Sequence, residues 1–491
     1  MLAGISSCIP INVFIRGRVT TEFFMIPSTI LQLMAASRSN NYAEAIFCVP
    51  LLLLRACGFL PIRSVSRNII YRALDIFLRI VAAVICAGSW FFEVATIDSS
   101  LPEFHRVNKS LFPTNNPVIK VLMIATACVI SLRAPLVLTV VLLKRSAWNE
   151  LFHRLNTAVK LYVELHGIPK RKILRIRFTT VTLVVIFAAL LATWLYVHIN
   201  GALMTQGKTS LQEFRFVGSL GSRVSYWQLS IIWIFCGILP FLLTQLVFTI
   251  VIIAAIIQDN MLKNISAAFE NGVAMVQTVI ENEDALTVDG NIFKGIDEDL
   301  SRARRLYNAN LQFCHYFNKH FSTVLLFIYA VDCFSVCGNV GMLVAGFSHS
   351  EAQLGTAAAR WSIAYGICMF LFEIVFCFIP MAYVYEKSLV IAHNYEDMIN
   401  LMEVLEQEHA EYFRSEILSQ SRCTQPVFRR EIFYGVGHLF HISGKFIVTT
   451  LTFVISFVVL AFEIIDLSEL KDRVTEVKML LLNHTDSHKI C

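Results

Sequence analysis

Seven stretches of about 20 or more mostly apolar residues recur along this chain, and that is the length a helix needs to cross a bilayer. They occupy 73–94, 118–143, 178–199, 228–257, 321–347, 362–385 and 446–465. With no water in the bilayer core, each run must satisfy its backbone N–H and C=O groups internally, as a helix. An earlier apolar run, 43–62, is interrupted by Arg55, Gly58 and Pro61 and reads as an interfacial or re-entrant helix. Composition agrees: of 491 residues 56% are hydrophobic and 16% charged, with mean hydropathy +0.62, against about 25% charged in soluble domains. The expected fold class is an all-α polytopic membrane protein with seven transmembrane helices. A soluble enzyme, a disulfide-rich secreted scaffold and a disordered chain are poor fits.

The net charge of +5 arises from Lys and Arg placed between apolar runs, as membrane topology requires, so nucleic acid is not an expected partner. The 13 Cys form no C-x-x-C pair and fall mostly within apolar runs, where a thiol acts as a small apolar side chain. The N-terminal segment has no basic region followed by a continuous apolar one, so no cleaved signal peptide is expected. Basic residues in short loops mark the cytoplasmic side. Segment 144–177 carries nine Lys and Arg in 34 residues, against two in 95–117 and three in 200–227. This places the N-terminus in the cytoplasm and the C-terminus outside, inverted relative to G-protein-coupled receptors. The glycosylation sequons at Asn108 and Asn483 then lie outside, whereas that at Asn264 lies inside.

The expected organisation follows. Residues 1–72 are a cytoplasmic segment with the interfacial helix, and 73–257 hold helices one to four. Residues 258–320 are a cytoplasmic helical extension, 321–385 hold helices five and six, and 386–445 are cytoplasmic anchor helices. Helix seven, 446–465, precedes a short extracellular tail, 466–491. Helical spacing of Leu300, Ala303, Leu306 and Ala309, and of Ile399, Met402 and Leu405, gives the inner segments an apolar face to bury. The covering surface lies either in the same chain or in a neighbouring subunit. The acidic stretch 281–289 reads as a solvated loop.

In the last run, Ser456-Phe457, five hydrophobic residues and Glu463-Ile464 resemble the signature of arthropod gustatory receptors, Thr-Tyr, five hydrophobics, Gln-Phe. The spacing is intact and each named letter is replaced conservatively. The lead-in from His441 and the apolar stretch from Pro50 are also similar to that family. The resemblance implies a tetrameric, homo- or heteromeric, ligand-gated non-selective cation channel in the plasma membrane, with the seventh helices lining one pore. It further implies a small-molecule tastant or metabolite ligand, monovalent and divalent cations as permeant partners, lipid contact, and no enzymatic activity or cofactor. Sugar-sensing members place Glu where this chain has Val458.

Phe457, Leu460 and Ile464 share one helical face, and the resemblance assigns Leu460 and Ile464 to the narrow outer pore. Glu463 and Asp466 would form acidic rings that concentrate cations, or else face the headgroups near the helix end. The hydroxyls of Thr449, Thr450, Thr452 and Ser456 line a polar vestibule or bond to carbonyls of their own helix. Candidate ligand contacts in the outer halves of the third to sixth spans are Trp194, His198, Trp233, Tyr329, Asp332, Ser335, Asn339, Trp361 and Tyr365; aromatic residues near a membrane boundary are more often interfacial anchors than ligand contacts. Arg133 and Glu373, ionisable groups inside spans, are candidates for a structural ion pair. His438 and His441 lack a third ligand, so no metal is expected. A metabotropic seven-helix receptor and a membrane-embedded carrier or enzyme are the alternatives.

Overall fold

The computed structural model describes residues 42–61, 69–99, 117–166, 170–205, 216–217, 223–224, 233–281, 290–348, 354–408, 425–437, 439–460 and 463. The chain is all-α. Two short helices, α1 (Tyr42–Ile46) and α2 (Cys48–Ala56), occupy the interrupted apolar run; α2 closes at Gly58, which adopts φ 78°. A side chain there would meet the Leu78 carbonyl oxygen at 1.7 Å, so glycine lets this turn press against the next helix.

The long helices follow in chain order: α3 (Ile69–Ser99), α4 (Pro117–Leu143), α5 (Ala147–His166), α6 (Lys170–Thr205), α7 (Leu239–Glu281), α8 (Gly290–Ser348), α9 (Leu354–Phe372) and α10 (Ile379–Glu408). A π-helical turn, Trp233–Ile238, leads into α7, and another, Glu373–Cys377, joins α9 to α10. The last helix, α11, spans Gly444–Leu460. Among the described residues, two-residue strand pairs accompany them: β1 (Phe216–Val217) with β2 (Arg223–Val224), and β3 (Gly435–Val436) with β4 (Phe440–His441), both antiparallel.

The described residues of all seven apolar runs lie in helices, the run 362–385 being divided by the π turn Glu373–Cys377. Four helical stretches are long and apolar enough to span by themselves, Ile173–Thr193, Ile234–Thr278, Glu298–Gly341 and Ile363–Val404, while Cys128–Leu143 and Gly444–Leu460 are shorter apolar helices. Helix α3 carries Arg72, Asp75, Arg79 and Glu93 among its apolar residues. Its outer face still exposes Ile70, Ile76, Phe77, Ile80, Val84 and Val94, a continuous apolar surface suited to lipid rather than water.

Several helices outrun the membrane. Helix α8 has 59 residues, about 88 Å at 1.5 Å per residue, roughly three times the hydrocarbon thickness. Segment 144–177, expected as a basic loop, instead contains α5. Its Trp148, Leu151, Phe152, Leu155, Val159 and Tyr162 are buried at helical spacing. The fully buried Trp148 ring meets Phe321 of α8 at 4.5 Å and Phe152 at 5.7 Å between centroids. Arg145, counted above as a loop charge, is largely buried. It donates to both carboxylate oxygens of Asp75 at 2.9 and 2.6 Å and to the Gly58 and Leu60 carbonyls, fastening α2 and α3 to the end of α4.

The amphipathic faces of the extensions are covered within this chain. Leu300, Ala303, Leu306, Ile399 and Met402 are buried in the main core, which also takes in α5, α7 and the inner parts of the spans. Segment 425–443 is bound tightly to this module. Phe428 lies 5.1 Å from Phe269 and 4.7 Å from Tyr395, and the Tyr307 hydroxyl donates to the Arg430 carbonyl at 2.6 Å. Asn318 donates to the Phe433 carbonyl and accepts from the Gly435 N–H, and the buried Tyr434 hydroxyl donates to Gln258.

Candidate functional site

Among the described residues, the apolar spans enclose a fully buried charge cluster. Arg133 of α4 places Nη1 2.8 Å from Oδ1 of Asp332 on α8 and Nη2 2.7 Å from Oε2 of Glu373; all three side chains are 0% exposed. Gln245 of α7 donates from Nε2 to Glu373 Oε1 at 2.7 Å, and the Phe241 ring lies 5.2 Å from the guanidinium carbon. Charges within a span are costly and persist where they pair inside the bundle. Local backbone features mark the same level. Pro135, two residues beyond Arg133, supplies no N–H to the α4 ladder, and Glu373 opens the π turn, a distortion frequent at functional sites.

Beside the triad lies a second, small core of Cys333, Val336, Cys337, Met369, Phe370, Ile374 and Val454, against which Phe457 packs. Close approach at Gly338 holds α8 to α4: a side chain there would fall 1.6 Å from Thr126 Oγ1. Ser335 and Asn339, the other polar candidates on α8, are buried. Asp332, Ser335 and Asn339 therefore face the bundle interior. One turn earlier on α8, the Tyr329 hydroxyl and Thr450 Oγ1 share a hydrogen bond at 2.7 Å, and Tyr329 meets Phe446 at 4.9 Å between centroids. These contacts tie α8 directly to α11.

Helix α11 begins at a built cap. Ser443 Oγ accepts from the Phe446 N–H at 3.1 Å, and Glu386 Oε1 accepts from the Gly444 N–H at 3.2 Å, satisfying two of the free N–H groups of its first turn. Along α11, Ile447, Thr450 and Val454 are buried and Leu451, Phe457 and Val458 half-buried, which defines the face packed on its own subunit. Val448, Thr449, Thr452, Phe453, Ile455, Ser456, Val459 and Leu460 are exposed, as is Glu463. Phe457 thus turns inward while Leu460, 50% exposed, turns away. The hydroxyls of Thr449, Thr450 and Thr452 donate to the carbonyls of Lys445, Phe446 and Val448 at 2.8, 2.8 and 2.9 Å, so these three bond within their own helix.

Trp361 is 74% exposed, and the Tyr365 hydroxyl donates to the Leu190 carbonyl at 3.1 Å; neither approaches the triad by any contact described. Trp194 and His198 fall on α6 and Trp233 on the first π turn, with their side chains outside the described residues. Ile464, Asp466, His438, Asn108 and Asn483 also lie outside them. Among the described residues no group of His, Cys, Asp and Glu is arranged to hold a metal. Sequence reading missed Gln245, which looks like one polar residue in an apolar run, and Glu93, buried beside Ser131. The cost of burying a charged acid in the first span was the available signal for Glu93.

The order and packing of these helices are shared with solved structures. The insect olfactory receptor OR5 from Machilis hrabei, in complex with eugenol, superposes with a TM-score of 0.52 over 85% of this chain and 97% of its own, at 11% identity. The chain has the fold of insect olfactory receptors. A second structure of the same receptor gives a TM-score of 0.51 at 12% identity, covering 84% and 96%. No family model and no curated protein matches the sequence. At this identity the likeness is one of architecture.

Proposed function

We propose that this chain is a subunit of a chemosensory, ligand-gated cation channel serving taste, with the N-terminus cytoplasmic, the C-terminus extracellular and four subunits around one pore in the plasma membrane. The observation that carries this reading is the asymmetry of α11. One face is packed on its own bundle through Ile447, Thr450 and Val454, while the opposite face leaves hydroxyl-bearing and aliphatic residues uncovered. Such a helix suits a position between its own subunit and a shared aqueous path. Leu460 and Ile464 form the constriction and Glu463 and Asp466 the acidic outer mouth, in keeping with cation selection by charge rings and gating by dewetting.

The solved relative binds eugenol as an olfactory receptor; here a small organic molecule would bind among the outer halves of the second to sixth spans and draw the α11 helices apart. The Tyr329–Thr450 hydrogen bond, with the packing of Val454 and Phe457, connects that region to α11. Expression in cells with a cation-influx readout, screened against small organic tastants with eugenol included, tests the reading. The expected result is ligand-evoked cation current, with Leu460→Ala opening more readily and Glu463→Gln lowering conductance. Currents unchanged by both substitutions would remove α11 from the pore.

A further inference from the structure

Three formal charges meet in the bundle, and they do not cancel. Arg133 carries one positive charge, whereas Asp332 and Glu373, 2.8 and 2.7 Å away, carry two negative charges when ionised, and none of the three reaches solvent. Among the described residues, the packed neighbours supply no second cation. Gln245 comes from α7, Cys333, Ser335 and Cys337 from α8, Cys377 from the π turn, and Val454 and Phe457 from α11. Two carboxylates held against a single guanidinium repel each other unless one proton is bound between them. Asp332 Oδ2 has no donor, and the hydroxyl of Ser335, 0% exposed and one turn along the same face, is unpartnered too.

We propose that Asp332 and Glu373 bind one proton between them, so that with Arg133 the site is electroneutral and joins α4, α8 and the π turn. A proton suits the site better than a metal cation: Asp332 already accepts from the guanidinium, Glu373 lies 2.7 Å from its other nitrogen, and a metal ion there would face the Arg133 charge directly. Release of the proton leaves one uncompensated charge beside the π turn Glu373–Cys377, the irregular joint between α9 and α10. This inference does not depend on the channel reading and holds for any activity of the chain.

Infrared spectra of the purified full-length protein in lipid nanodiscs test it through the carbonyl stretch of a protonated carboxylic acid. In the wild type the band should persist at about pH 8, well above ordinary carboxylate titration. Difference spectra should show it lost in Asp332→Asn and equally in Glu373→Gln, because either leaves one carboxylate against one guanidinium. Each single variant should keep the wild-type unfolding midpoint, while the double variant D332N/E373Q, with Arg133 unmatched, should lose folded yield. Should a variant fail to accumulate, carboxyl-13C labelling of aspartate in the wild type must still shift the band. A wild type without the band, a band insensitive to both substitutions and to the label, or an unfolding midpoint that moves when sodium is replaced by a bulky organic cation would overturn the proposal.

Discussion

At the scale of single residues, the module built from the helical extensions depends on polar groups that must remain uncharged. Cys314 is fully enclosed, and burial pushes its thiol from 9.0 up to about 12, with a Gln258 hydrogen bond opposing the shift. Burial likewise raises the phenols of Tyr307 and Tyr434 above their ordinary value. A raised folded-state value means that the protonated form is favoured by folding. The corresponding stability is present below the unfolded thiol value and lost as pH rises through the folded one. The unfolding midpoint should therefore stay level up to pH 9.0 and fall between there and about 12. Cys314→Val should remove part of that alkaline loss; an alkaline profile identical to the wild type would contradict the assignment. Burial of Arg133, Asp332 and Glu373 was partly legible in sequence, since an ionisable group within an apolar run is costly wherever it points. That all three converge was not, because they come from three distant runs and their register is set by packing.

Helices themselves were the most legible level. Runs of about 20 apolar residues admit few alternatives, and the described part of each of the seven is helical, with observed ends that overrun the apolar stretch in α6 (Lys170–Thr205) and α8 (Gly290–Ser348). Helix α5 was overlooked because its segment was read for charge. Its signal was present in the spacing of Trp148, Leu151, Phe152, Leu155, Val159 and Tyr162, which places them on one face. The two π turns were not legible, since they depend on how neighbouring helices force an extra residue into a turn. For α11, the element that carries the functional proposal, the cap is a local and testable device. Ser443→Ala removes the acceptor for the Phe446 N–H and should cost about 1 kcal/mol. Hydrogen exchange should rise in the first turn of α11 and stay unchanged in α8; an unaltered first turn would show that Glu386 caps the helix alone.

For the whole molecule, an 11% identical chain reaches the same architecture because a bundle in a membrane is specified by apolar pattern, small residues at close contacts and paired charges rather than by residue identity. Gly338 against Thr126 and the Arg133 cluster are this chain's own versions of the last two. Candidate pore residues were legible only as a face, and the structure divides that face, turning Phe457 inward and Leu460 outward. The measurement that bears most directly on the shared aqueous path is labelling of single cysteines along α11 with a charged, membrane-impermeant maleimide, read as a mass shift against the unsubstituted chain in intact cells. Labelling should occur at Thr452→Cys, Ser456→Cys and Leu460→Cys and be absent at Thr450→Cys and Val454→Cys. Uniform protection along the whole helix, as for a surface buried in lipid, would contradict it.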